Sequence, residues 1–372
     1  MKKKPFLIII LCAAAIGIRI GMFDYVTLDY QNFLARWVEF FRENGGFSAL
    51  KYSIGNYNIP YLYFLAAFSY LPVNDLYLIK ALSCLFDFLL ALSCMKLARK
   101  CGAGENASWV CFFAVLFLPT VIINGSLWAQ CDSVYVAFAV LGIVLALDDR
   151  PAASMICMAL SFGFKLQAVF ILPVCILLLI MKKYKWWHFL LFPVSYLVLI
   201  LPAVFAGRTL LSAITLYWDQ MNTVGSAPNY NAPSFNAITH GEGSVIAAFI
   251  AMALIIILAV LLRKKLNNRA FLLLSVMMVT VIPFLLPHMH DRYFFAADVL
   301  SVVLACSLSG GVRIPLVIAA VCQQFASLIC YLAYLTTRYL PLGHIYLTND
   351  RGAVAIFISL VIYALTFVFI LV

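Results

Sequence analysis

Apolar residues run along this chain in long blocks, and each block is separated from the next by a short polar or basic cluster. A helix crossing about 30 Å of hydrocarbon needs roughly 17–25 residues. The blocks at 5–23, 76–98, 109–123, 134–147, 188–205, 245–262, 271–286, 294–308, 314–334 and 353–372 therefore predict spans. The block 152–181 is too long for one ordinary helix, is interrupted by Gly163 and by the polar positions 165 and 167, and has basic residues beyond its end. It predicts two short helices meeting at an apex that carries Lys165 and Gln167. The apolar stretch 59–72 lies between two prolines and is short for a span, so a re-entrant or interfacial helix is expected there. The sum is an all-α polytopic membrane protein, a single domain of about twelve transmembrane helices.

Composition narrows this further. With 65% hydrophobic and 11% charged residues, a water-facing globular surface could not be covered. The net charge of +10 would suggest nucleic acid in a soluble protein. Here the basic residues collect between apolar blocks: Lys2 to Lys4, then Lys96, Arg99 and Lys100, then Lys182, Lys183 and Lys185, then Arg263, Lys264, Lys265 and Arg269, and finally Arg313. That is the signature of cytoplasmic loops, and no nucleic-acid partner is implied. The basic, apolar start looks like a secretory signal, but the many later spans favour an uncleaved first helix with its N-terminus in the cytoplasm. The eleven cysteines sit inside apolar blocks without CxxC spacing, as small core residues.

Orienting the spans by these clusters places loops 24–75 and 207–243 outside the cell. Asp24, Asp29, Gln130, Asp132, Lys165, Gln167, His288, His290, Asp291 and Arg292 then share one face, which is the convergence a site requires. In the stretch 27–43, TLDYQNFLARWVEFFRE, Asp29 precedes an aromatic pattern of Phe33, Trp37 and Phe40 or Phe41 at helical spacing. This predicts a helix from about Tyr30 lying on the membrane, with Asp29 either capping it or acting as a catalytic carboxylate. Asp132 is placed either to orient Lys165 or to cap the helix that follows. His288, His290 and Asp291 form either an interfacial turn, a binding turn or a weak metal motif. Trp218, Tyr230 and Asn236 in the second large loop could contact a sugar, although a mobile connecting loop is the preferred account of them. Asp87, inside a span, is expected to be structural, paired with Lys80.

Several strings together resemble a known family. Asp29-Tyr30-Gln31 followed by Arg36-Trp37, the segment NYNIPY beginning at Asn56 and including Tyr57, WAQCDS from Trp128, FKLQ around Lys165, and HDRYFF from His290 occur in the order found in GT-C glycosyltransferases. The chain is most similar to bacterial relatives of the GPI-anchor mannosyltransferase II and of the dolichol-phosphate-glucose glucosyltransferases. It departs from them in having Asp291 where a Glu is usual, Leu166 between the Lys and Gln, and a single proline at a Pro-Pro position. The resemblance implies a GT-C-like bundle with a large first external loop carrying amphipathic helices. It also implies transfer of a sugar, mannose or a close analogue, with inversion and at the outer face of a bacterial plasma membrane. The donor would be a polyprenyl-phosphate sugar and the acceptor a glycan or lipid-linked hydroxyl, for a cell-envelope glycan, with neither a cofactor nor a metal. In that reading Asp29 is the general base and Asp24 its rival. Arg292, His290 and Lys165 face the donor phosphate, and Asp132, Gln130, Gln167, Asp291, Tyr30, Trp37 and Tyr57 support the site or the substrate. Protein partners are left open. The alternative from another class is a transporter or lipid flippase, which the intramembrane Lys165 would favour.

Overall fold

In the computed structural model, residues 3–55, 57–222, 225–239, 243–338 and 349–371 are described. Lys2, Asn56 and positions 223–224 and 240–242 of the second large loop, which the sequence reading used, lie outside these residues. The described chain is helical almost throughout, its strand content being two residues at Asn229–Tyr230 and two at Met289–His290.

Among the described residues, six helices are long and apolar enough to cross a membrane: Asp75–Lys100, Trp186–Phe205, Ser244–Leu261, Asn268–Leu285, Gly310–Thr336 and Asn349–Ile370. A seventh candidate is the pair Glu105–Leu116 and Pro119–Leu127, which is bent by 45°. Pro119 explains the bend, because it has no N–H to continue the ladder and its ring displaces the preceding turn. Shorter apolar helices complete the bundle at Pro5–Ile20, Ile59–Phe68, Asp132–Leu147, Pro151–Phe164, Leu166–Ile180 and Phe295–Ser307. The long block splits at Lys165, whose backbone is extended (φ −153°, ψ 135°), so the expected break into two short helices is present.

Asp75–Lys100 packs along Asp132–Leu147, which in turn packs along Pro151–Phe164; Arg313–Arg338 pairs with Asn349–Leu371. Asn268–Leu285 and Phe295–Ser307 are buried nearly all round. Ser244–Leu261 instead turns Ile246, Phe249, Ile250, Leu254 and Leu261 outward, an apolar face of the kind that lies against lipid.

Two expectations are corrected by the packing. Asp87 does not pair with Lys80. It accepts from Arg19 Nε at 2.9 Å, both side chains being buried, while Arg19 also donates to the Leu116 carbonyl at 2.8 Å. That carbonyl lies just before the Pro119 break, so the guanidinium fills a gap in the helix as well as meeting a charge. Lys80 is spent on three carbonyls beyond the first helix, Met22, Phe23 and Tyr25, at 2.7–3.0 Å.

The second correction concerns the first loop. Ala35–Glu43 does not rest on the membrane through Trp37, because its inward face is Leu34, Trp37, Val38 and Phe41, all buried in the protein. The Trp37 ring meets Tyr57 edge-on at 5.5 Å and lies against Gly55 (φ 69°), where a Cβ would come within 2.7 Å of the indole. Ile59–Phe68, ten residues long, is covered by the Pro151–Phe164 and Leu191–Phe205 helices. It is too short to span and is buried by protein.

Candidate active site

The first loop releases Asp29 from the capping role its sequence position suggested. Thr27 takes that place, its hydroxyl accepting from Tyr30 N at 3.3 Å and its carbonyl from Gln31 N at 3.0 Å. Asp29 is already helical (φ −60°, ψ −43°) and makes no cap bond; the next turn, Tyr30–Leu34, is a π-helix. Such a wide turn rotates the residues around it off the ordinary helical register, a device common at functional sites.

The freed carboxylate points into partners from three other segments. Trp128 Nε1 donates to Asp29 Oδ2 at 2.8 Å and Gln130 Nε2 donates to the same oxygen at 3.2 Å. Tyr334 Oη donates to Oδ1 at 3.3 Å. Arg292 Nη1 lies 4.0 Å from Oδ2, close enough for Coulomb attraction and too far for a hydrogen bond. The Gln130 amide is oriented by Tyr57, whose hydroxyl donates to Gln130 Oε1 at 3.1 Å and so leaves the Nε2 edge for Asp29. Trp128 is fully buried, stacked on Tyr334 at 4.9 Å and edge-on to Tyr331 at 5.4 Å, with the Arg292 guanidinium 5.3 Å from its ring.

Beside this group lies a second one. Lys165 Nζ donates to Asp132 Oδ1 at 2.6 Å, and Asn124 Nδ2 donates to the other oxygen at 2.7 Å, all three side chains being buried. Asp132 thus orients Lys165, and the lysine is matched by a carboxylate rather than standing as a loose cation. Its ammonium also faces the Tyr57 ring at 5.8 Å.

The turn after Asn268–Leu285 supplies the remaining groups. Asn229–Tyr230 pairs in parallel with Met289–His290, and the Tyr230 ring stacks on His290 at 4.8 Å. Burial, with the Arg292 charge second, pushes the His290 imidazole down to about 4, so it is neutral near pH 7 and can offer an N–H but no charge. Asp291 is buried, and burial drives its carboxyl up to about 7 against the pull of Arg292, whose Nη1 is 3.8 Å away. The Asp291 carboxyl holds its proton more tightly folded, near 7, than unfolded, near 3.8. The stability it contributes therefore falls as pH rises between those values, by at most about 4 kcal/mol. We expect Asp291→Asn to flatten that part of the melting-temperature profile between pH 5 and 8. Thermal melts of the two proteins across that range, differing by no pH-dependent amount, would contradict the expectation.

Of the sequence-predicted residues, Asp29, Gln130, Tyr57, Trp37, Asp132, Lys165, His290, Asp291 and Arg292 are brought together. Gln167 is buried at the edge, next to Tyr293. Asp24 and Tyr30 are not in the cluster. Asp24 is exposed and bonded to Tyr77, while Tyr30 lies against the Leu76 backbone. His288 Nδ1 lies 2.6 Å from the Ala227 carbonyl, and among the described residues no three of His, Cys, Asp and Glu converge as metal ligands. Asn236 donates to the Leu285 and Leu286 carbonyls at 3.0 and 2.8 Å, so it closes a helix end, and Trp218 is exposed. The sequence reading missed Tyr334, Tyr331 and Asn124, and Trp128 entered it only as part of a motif. A tryptophan and an asparagine in the turn NGSLWAQ were the available signal; the two tyrosines look like ordinary residues of an apolar span.

Comparison with known proteins bears on this geometry. Residues 66–181 match the family described as Alpha-(1->6)-mannopyranosyltransferase, N-terminal domain. The match supports a membrane mannosyltransferase, which implies sugar donor and acceptor substrates. It includes Asn124, Trp128, Gln130, Asp132 and Lys165, whereas Asp29, His290, Asp291, Arg292 and Tyr334 come to the same cluster from outside it. No match was found among the curated proteins.

Proposed function

We propose that the protein is an inverting GT-C mannosyltransferase that uses a polyprenyl-phosphate mannose donor at the extracytoplasmic face of a bacterial plasma membrane. One observation carries this reading. Asp29 is a carboxylate held by two neutral donors on one oxygen, 4.0 Å from a buried-edge guanidinium that is bonded to nothing by its Nε among the described residues. In this reading the acceptor hydroxyl gives its proton to Asp29 Oδ1, the oxygen with the single long bond from Tyr334, as its oxygen attacks the anomeric carbon. The bond from that carbon to the phosphate oxygen breaks with its electron pair, and the polyprenyl phosphate leaves. Arg292 meets the charge that develops on the leaving phosphate, and neutral His290 adds a hydrogen bond. The Asp132–Lys165 pair forms the floor beside them. Because Lys165 is neutralised by Asp132, the residue that would favour transport serves instead to brace this pocket.

The test is transfer of mannose from synthetic polyprenyl-phosphate mannose by purified protein in detergent or nanodiscs, followed by mass spectrometry and by the anomeric configuration of the product. Transfer with inversion supports the proposal. Absence of transfer from any polyprenyl-phosphate hexose to envelope-derived acceptors would overturn it.

A further inference from the structure

The segment that carries Trp128, Gln130 and Asp132 is gripped from one side by the Asp75–Lys100 helix. Ser83 and Asp87, one turn apart on that helix, are both buried. Ser83 Oγ donates to the Gln130 carbonyl at 2.7 Å, and Ser133 Oγ donates to Asp87. Asp87 is itself immobilised by Arg19. The two grips therefore bracket Gln130 to Ser133, and immediately before them Ala129 adopts φ 61°, a left-handed conformation that a residue with a Cβ adopts only when its surroundings impose it. Gly125 permits the close approach, since a Cβ there would lie 3.2 Å from Ser83 Cβ.

We infer, on the transferase reading above, that Ser83 and Asp87 are positioning residues for the reaction. They hold a strained segment so that Trp128 and Gln130 reach Asp29 while Asp132 reaches Lys165. Ser83 acts through the Gln130 backbone and Asp87 through Ser133.

The variant to examine is Ser83→Ala with Ser133→Ala, which leaves the Arg19–Asp87 pair in place. We expect kcat to fall at least tenfold while KM for the donor stays within twofold. A second measurement is independent of activity. Cys131, 1% exposed between Gln130 and Asp132, should react with a maleimide at least fivefold faster in the double variant, by peptide mass spectrometry, with buried Cys175 unchanged. Wild-type turnover together with wild-type Cys131 labelling would overturn the inference. So would an equal rise at Cys131 and Cys175, which reports general loosening. If the unaltered protein transfers no sugar, the transferase reading fails, and the labelling alone still decides whether the segment is held.

Discussion

Asp29→Asn should lower kcat by about two to four orders of magnitude, the range over which a positioned general base contributes. The asparagine is nearly isosteric, and Trp128 and Gln130 can still donate to its amide oxygen. The fold and the donor site should therefore survive, and the loss should appear in kcat with little change in KM. Arg292, 4.0 Å away, would lose one neighbouring charge. That favours anion binding if anything, so a reduced affinity for polyprenyl phosphate is not expected. Steady-state kinetics with synthetic donor, alongside melting temperature and membrane insertion, separate these quantities. Full turnover in this variant would remove Asp29 from the chemistry. The matching Asp24→Asn variant should keep most of its activity, because Asp24 is exposed and engaged by Tyr77 outside the cluster.

Arg292→Ala is the second large effect, about a 10²- to 10³-fold loss in kcat/KM, the scale on which removal of one transition-state charge stabiliser is felt. Its guanidinium lies between Asp29 and Asp291, at 4.0 and 3.8 Å, and over the Trp128 ring. None of those distances is a formed hydrogen bond to a carboxylate, so the group is held in place by its surroundings and retains capacity for a phosphate. Arg292→Lys should recover only part of the loss, since an ammonium has neither the planar fork nor the stacking on Trp128. Inhibition by free polyprenyl phosphate should weaken in parallel. An alanine variant with unchanged product inhibition would show that the leaving phosphate sits elsewhere.

His290 and Lys165 then have more limited roles than the sequence suggested. The resemblance set Arg292, His290 and Lys165 together as groups facing a phosphate. Burial leaves His290 uncharged near neutral pH, and Asp132 claims Lys165. The burial of His290 depends on segments far away in the chain, so no local pattern could have disclosed it, whereas the pairing of Lys165 with Asp132 was one of the two roles the sequence offered for that carboxylate.

Much of the architecture was nevertheless legible along the chain. The length of each apolar block and the position of each break are one-dimensional properties, set by the thickness of hydrocarbon and by proline, glycine and charge. They located most of the helices to within a few residues and the break at Lys165, though not the 45° bend at Pro119, and motif order named most of the cluster. Partner choice was legible only for Asp132 and Lys165. Asp87 had an obvious nearby lysine and took Arg19 instead, 68 residues away. Trp37 lay on a pattern typical of membrane-surface helices and turned inward onto Tyr57. By pattern Asp29 was either a cap or a catalytic carboxylate; Thr27 took the capping role, and Tyr334, 305 residues distant, completed the surroundings of Asp29. By itself the sequence determined that this is a helical membrane protein and which polar residues could meet, because hydrophobic length and residue type are local. Only the tertiary structure decided which carboxylate is paired, which is capped and which is left poised, because a buried charge is governed by the neighbours that packing brings within about 4 Å of it.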